Sequence, residues 1–283
     1  MAIRIVTDSV ADLPTSVAQA HDISVVPLYV VIDGKTYRDG VDIDADEFYA
    51  RLVKAQSLPT TSQPTVADFQ EVYQRLLDEG HSIVSVHVSS KLSGTLNSAT
   101  QAKASLGNTE RIQIVDSQLA GGAQGLLALN ASRWAGEMTA RHELAARVRD
   151  SIGNNHGFVL VDTLKYLEKG GRIGKAQAFL GSVLNFKPII TIRDGEAHPL
   201  ERPRSRRRAH ARIVDYVHRL APISHIQVSY STGRENALRI GASLADLVPP
   251  ENFVHSRFGP VLGTHLGPNT IGVAVTQGRV ETA

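Results

Sequence analysis

Cysteine is absent from the 283-residue chain, aromatic residues make up only 5%, and there is a single Trp. Without thiols, disulfides, thiolate zinc sites, iron–sulfur clusters and cysteine nucleophiles are all excluded. Long apolar runs are missing as well. The longest, residues 23–32, falls far below the roughly 20 residues needed to cross a bilayer. The opening Met1-Ala2-Ile3-Arg4-Ile5-Val6-Thr7-Asp8 reads as a strand and lacks the uncharged core of a signal peptide, so a cytoplasmic protein is expected. Several chemical signatures also fail. Lys169-Gly170-Gly171-Arg172-Ile173-Gly174-Lys175 has Lys where a phosphate loop needs its first Gly, and Ala176 follows where Ser or Thr is required. Asp42, Asp44 and Asp46 alternate like a calcium loop, but Glu47 replaces the needed Gly and Val53 the terminal Glu. The 11 histidines show no metal-ligand spacing. No Gly-x-Ser-x-Gly elbow supports serine hydrolysis, although Ser93 and His265 could pair.

What is present is a globular composition: 42% hydrophobic and 20% charged residues, with 23 Gly and 12 Pro, enough for one large or two modest domains. Basic residues exceed acidic by 30 to 28, yet Arg202, Arg204, Arg206, Arg207 and Arg208 crowd into seven positions. Without that patch the chain is net acidic. The positive character is therefore local, which suits one acidic partner, a solvated helix start, or a nucleic acid. No nucleic-acid-binding motif accompanies it.

Strand-like runs at 3–7, 24–32, 82–87 and 112–115 alternate with helical patterns at 14–20, 46–55, 66–79, 95–106 and 123–139. Asp44 with Glu47, and Thr65 with Asp68, are helix-start signals. Asp33-Gly34 reads as a hairpin turn. This order predicts a mostly parallel sheet covered on both faces. After the Gly- and Asn-rich residues 153–157 the pattern changes. Strands are expected at 158–161, 189–193, 197–200, 227–230, 253–257 and 271–276, with helices at 174–185, 205–220 and 234–247. Arg193-Asp194-Gly195-Glu196 is a second hairpin signal, so this half should be largely antiparallel. The expectation is a two-domain α/β protein: residues 1–155 an α/β domain carrying the polar loops, 156–283 an α+β domain.

Three strands of the first half end in Thr7-Asp8-Ser9, Ser89-Ser90-Lys91 and Asp116-Ser117. In a parallel sheet these loops share one edge, where ligands bind. Ser93-Gly94-Thr95 opens a helix, which suits a carboxylate or phosphate as well as an ordinary cap. In Thr60-Thr61-Ser62-Gln63-Pro64-Thr65 the last residue can cap the next helix, leaving Thr61 and Ser62 free to face a ligand. The segment 176–186, with Phe179, Leu180, Val183, Leu184 and Phe186, reads as core or as the lining of an apolar cavity.

Taken in order, these segments resemble the DegV family. Thr7-Asp8-Ser9-Val10-Ala11-Asp12-Leu13-Pro14, Thr61-Ser62-Gln63-Pro64 and Leu92-Ser93-Gly94-Thr95 match its first-half motifs. Leu167-Glu168-Lys169-Gly170-Gly171-Arg172-Ile173, Leu184-Asn185-Phe186-Lys187-Pro188-Ile189 and His265-Leu266-Gly267-Pro268 match those of the second. The resemblance implies a long-chain fatty acid buried in a tunnel between the halves. It further implies the lipid-carrying, non-enzymatic subunit of a bacterial fatty acid kinase, in which a separate ATP-binding subunit makes acyl phosphate for phospholipid synthesis. On that basis Thr61, Ser62, Ser93, Gly94 and Thr95 would surround the carboxylate, and Arg172 and His265 would support it. Arg202 and Arg204 would dock the kinase or touch a membrane surface. No metal, cofactor or nucleic acid is implied. One position departs from the family pattern: Asn269 stands where Gly is common, and Asn tolerates the left-handed backbone such a turn needs. The competing reading from the residues alone is a free-standing enzyme acting on a small carboxylate or phosphate ester at the same edge.

Overall fold

The computed structural model describes residues 2–107, 109–181 and 186–279. Its first part contains strands β1 (Ile3–Asp8), β2 (Ile23–Val26), β3 (Tyr29–Ile32), β4 (Lys35–Arg38), β5 (Thr60–Ser62), β6 (Ser82–His87) and β7 (Ile112–Asp116). Helices α1 (Thr15–Ala20), α2 (Ala45–Leu52), α3 (Val66–Asp78), α4 (Thr95–Ser105), α5 (Gly122–Glu137) and α6 (Arg141–Asp150) lie among them. The second part contains β8 (Asn155–Leu160), β9 (Ile189–Arg193), β10 (Glu196–Glu201), β11 (Ile223–Tyr230), β12 (Phe253–Arg257) and β13 (Ile271–Gln277). Its helices are α7 (Lys165–Lys169), α8 (Arg206–Arg219), α9 (Arg234–Ala242) and α10 (Pro260–Leu266).

The first sheet is parallel, in the order β2-β1-β6-β7. Alternation along its strands divides the apolar side chains between two faces. Ile3, Ile5, Val84 and Val86 pack under α5 and α6, while Val6, Ile83 and Ile112 pack under Phe69, Tyr73, Leu76 and Leu77 of α3 and Ala99 and Ala102 of α4. The second sheet, ordered β10-β9-β8-β13-β11-β12, is antiparallel except for the parallel β11–β12 pair. This is a two-domain α/β fold, as expected. Helix α5 belongs to both halves, packing on β1 and also on β8, β11 and β13. Every residue from Gly122 to Ala131 is buried, and small side chains permit that crowding. A Cβ on Gly125 would lie 2.6 Å from the Ala11 carbonyl oxygen.

Both expected hairpins form. At the β3–β4 turn Asp33 and Gly34 have φ of 50° and 77°, and at the β9–β10 turn Asp194 and Gly195 have 51° and 81°. Such paired positive values match the right-handed strand twist. Asp44 caps α2, and Thr65 with Asp68 forms a reciprocal capping box on α3.

Four expectations need correction. The run 24–32 is two strands in different sheets, because Pro27 has no N–H to continue a ladder. Thr60–Ser62 is not merely a cap segment; it pairs with β3 as the third strand of a small sheet ordered β4-β3-β5. Residues 174–185 were expected as one helix, but the described part is a 3-10 stretch, Gly174–Phe179, and residues 182–185 lie outside the described residues. Helices α6, α7 and α10 have no counterpart in the sequence reading.

Candidate functional site

Parallel pairing places the ends of β1, β6 and β7 on one edge, and the second sheet faces it. Ser89 links the two, its hydroxyl donating to the Gly195 carbonyl at the β9–β10 turn (2.6 Å). Between them lies a cavity of about 230 Å³. Its depth is apolar, with Val10, Leu28, Val88, Phe158, Ile190, Ile192, Phe258 and Val261 among the walls. Its polar lining residues are Thr61 and Ser62 of β5, Gln63, Ser93, Arg172 and His265 of α10, together with Thr191 of β9 and Ser229 of β11, whose hydroxyls are engaged with the Ile192 carbonyl and Ser256.

Each of these is positioned by a distinct local cause. Alternation in β5 separates Thr61, half-buried, from exposed Thr60 and Ser62. Thr61 Oγ1 lies 2.9 Å from His265 Nε2. His265 sits near the end of α10, close against Gly170, where a Cβ would stand 2.9 Å from the ring Cε1. Only glycine leaves room there. The opposite ring nitrogen, Nδ1, is buried with no partner among the described residues. An orphaned lone pair is tolerated better than an orphaned N–H. The ring proton therefore belongs on Nε2 and is donated to Thr61, whose own hydroxyl proton stays available to the cavity. Burial, and secondly the Arg172 charge, pull the His265 pKa down to about 4, so the ring is neutral at physiological pH.

Arg172 is held by two carbonyls, donating through Nε to Leu92 (3.1 Å) and through Nη1 to Gly170 (2.7 Å). Ser93 is fixed by Thr95, whose Oγ1 lies 2.8 Å away and whose N–H donates to Ser93 Oγ at 3.3 Å. Ser93 is not the N-cap of α4; Gly94 occupies that position without a side-chain bond. Thr95 is wholly buried and Gly94 does not line the cavity; the former orients Ser93, and the latter leaves space for Gln63, whose Cδ would lie 2.6 Å from an added Cβ. The Ser93–His265 pairing considered from sequence is not made, since Thr61 takes the imidazole. Gln63 lines the mouth and was missed as a site residue; its place beside Thr61 in the same short segment was the available signal.

Arg202 and Arg204 are exposed and outside the cavity, Arg202 stacking over Phe179 at 5.2 Å. Asn269 adopts φ 58°, and its N–H donates to Thr232 Oγ1 at 2.8 Å, so the turn tolerates the departure from Gly. Gly267, at φ 76°, allows Tyr166 to approach: its Cγ would be 2.9 Å from a Cβ.

Fold and site together define a class: two packed α/β units enclosing an apolar cavity that is polar at one end. Residues 2–278 match the family model described as uncharacterised DegV proteins. The chain belongs to the DegV family. It is 33% identical to Protein DegV of Bacillus subtilis over 277 residues, covering 96% of this chain and 98% of that protein. Among solved structures it resembles a Thermus thermophilus DegV protein described by its fatty acid binding, with TM-score 0.90, 33% identity, and coverage of 98% of this chain and 100% of that one. It also resembles the Bacillus subtilis DegV structure, described as a fatty acid binding protein, with TM-score 0.87, 32% identity, and coverage of 98% and 100%.

Proposed function

We propose that this chain binds a long-chain fatty acid in the cavity and presents its carboxylate to a separate ATP-binding kinase, without carrying out phosphoryl transfer itself. The observation that supports the reading is a mostly apolar cavity in whose wall Thr61, Ser93, Arg172 and His265 come together, Thr61 against the His265 ring and Arg172 against the Leu92 and Gly170 carbonyls. Each buried methylene contributes about 0.8 kcal/mol, so an acyl tail of about 14 methylenes supplies on the order of 11 kcal/mol. The carboxylate opposes entry unless hydrogen-bonded. With His265 donating to Thr61, that hydroxyl directs its proton at it, and Ser93, which accepts the Thr95 N–H, gives its own proton either to Thr95 Oγ1 or to the carboxylate, the charged acceptor being the stronger. Arg172 is turned to backbone carbonyls, so no bidentate ion pair forms, and a carboxylate oxygen keeps the electron pair needed to attack the terminal phosphorus of ATP. In that step an O–P bond forms and ADP leaves.

The division of labour places the carboxylate loops in residues 1–155 and much of the acyl-chain wall in 156–283, with His265 and Arg172 reaching back from the second part. Arg202 and Arg204 offer the docking surface for the acidic face of a kinase, with transient contact at a membrane surface. No described helix is long and apolar enough to cross a membrane; a cytoplasmic site of action and supply of acyl phosphate to phospholipid synthesis complete the reading.

Native mass spectrometry followed by denaturation tests it. One acid of about 16 to 18 carbons per chain is expected, retained less by Ser93→Ala. A chain that stays empty when offered such acids, or a Ser93→Ala variant with full lipid and full phosphorylation, contradicts it.

A further inference from the structure

Gln63 stands at the rim of the cavity, exposed to solvent and also part of the lining. It directly follows β5, and Pro64 after it favours an extended backbone. The alternation of β5 therefore runs one residue past the strand and sends Gln63 to the side of Thr61. There the carboxamide is seated on Gly94. The three atoms nearest to an added Gly94 Cβ are its Oε1, its Cδ at 2.6 Å and its Nε2 at 2.7 Å, so the amide plane meets Gly94 face on. Gly94 itself has φ −75° and ψ 5°, a backbone open to other residues. Its missing Cβ serves the carboxamide and not the chain.

That seat is the main restraint on the side chain. Nε2 donates to Ser98 Oγ at 3.5 Å, the outer limit of a hydrogen bond. Its second proton and Oε1 have no hydrogen-bond partner among the described residues. The last torsion of a Gln side chain is broad and roughly two-fold. An anion in the cavity can therefore turn Nε2 towards itself by a flip that keeps the amide plane on Gly94.

A carboxylate drawn from water needs more partners than the two hydroxyls supply, since its oxygens offer about four lone-pair sites. Thr61 gives one proton, and Ser93 one for which Thr95 Oγ1 competes. Thr191 and Ser229 are engaged elsewhere in the wall. We propose that Gln63 is the residue that selects the acid head group, its carboxamide resting on Gly94 while Nε2 donates a third neutral hydrogen bond to the bound carboxylate. Being uncharged, the amide stabilises the anion without the tight ion pair that a Lys or Arg at this position would form. The inference rests on the fatty acid reading of the cavity and adds to it the group that tells an acid from an uncharged lipid of equal length.

The test is equilibrium binding of radiolabelled palmitate and, separately, of hexadecanol, its uncharged counterpart, to the delipidated full chain. Gln63→Leu, which keeps the bulk and removes the donor, should weaken palmitate by about tenfold or more and hexadecanol by no more than about threefold. Gly94→Ala should bring about the same selective loss, because its Cβ occupies the seat of the carboxamide. The double variant Gly94→Ala with Gln63→Ala should bind palmitate as Gln63→Ala alone does, the mark of two positions acting through one group. Gln63→Leu with unchanged palmitate affinity, or with equal loss of both ligands, would overturn the assignment. So would a Gly94→Ala effect that persists in full beside Gln63→Ala. A wild-type chain that takes up neither ligand would overturn the fatty acid reading and this inference with it, whereas wild-type uptake with an indifferent Gln63→Leu would overturn the inference alone. Since Gln63 is exposed and Gly94 has a backbone suited to Ala, the variants should fold, and unchanged denaturant midpoints verify it.

Discussion

At the scale of single residues, buried titratable groups give the protein opposing pH sensitivities. His265 titrates near 4 when folded and near its ordinary value of 6.5 when unfolded. Its unfolded form binds the extra proton, so stability is lost as pH falls from 6.5 towards 4, by up to about 3 kcal/mol. Asp39 behaves in the opposite sense. Burial is the main cause of its rise to about 7, while Ser9 and the Val261 N–H hold it back. Beside it Asp12 is also raised, by burial and then by Asp39, and its Oδ1 accepts the Gly259 N–H at 2.9 Å. For these carboxyls the folded state binds the proton more tightly, so their contribution is lost as pH rises from 3.8 through about 7. Urea unfolding across this range is expected to show His265→Asn losing part of the acid-side decline and Asp39→Asn losing part of the neutral-side decline. Unchanged slopes in both variants would show that these groups are not buried as described.

Elements differ in how well the sequence announces them. The capping box on α3 was legible because Thr65 and Asp68 encode it locally, as was each hairpin whose turn requires two positive φ values. Helix α10 was not. Its seven residues include a Pro at the start and a Gly in the interior, and no amphipathic period can be read over so short a span. Tertiary packing holds it instead: a Cβ on Gly263 would lie 2.6 Å from both Phe48 Cε1 and Tyr49 Oη of α2. β5 was equally hidden, since Thr60–Ser62 is polar and gains its strand form only from pairing with β3. The site residues carried by these two elements, Thr61 and His265, were placed by their motifs and not by any periodicity. Gly263→Ala is therefore expected to cost about 1–3 kcal/mol and to weaken fatty acid retention, because α10 carries Val261, Leu262, His265 and Leu266 into the cavity. Thr65→Ala should cost about 1 kcal/mol and leave retention unchanged. Denaturant midpoints alongside lipid content separate the two; equal retention in both variants would contradict the role given to α10.

On the scale of the whole molecule, the change from parallel to antiparallel pairing was readable because it follows the change from β-α alternation to hairpins. The cavity was announced by the family resemblance and not by any local pattern, since its walls come from both sheets and from the segments between them. Arg172 and His265 are 93 positions apart in sequence, and only the folded chain brings Gly170, beside Arg172, against the His265 ring. Charge is partitioned across the molecule as well. Arg206 is bound to Asp162 (2.9 Å) and Arg212 to Glu201 (2.8 Å), whereas Arg202 and Arg204 stand exposed. Reversing both charges, Arg202→Glu with Arg204→Glu, should leave fatty acid content unchanged and lower acyl-phosphate formation by a fatty acid kinase subunit at least about tenfold at low salt. Full activity in that variant would remove this surface from docking.

The central claim is that a carboxylate rests on the Thr61 and Ser93 hydroxyls while its hydrocarbon tail fills the cavity. A carbon-13 NMR spectrum of carboxyl-labelled palmitate bound to the protein tests it directly. The account predicts one narrow carboxyl line, displaced from that of the free acid and moved again by both Thr61→Val and Ser93→Ala. A bound line indifferent to both substitutions would contradict it.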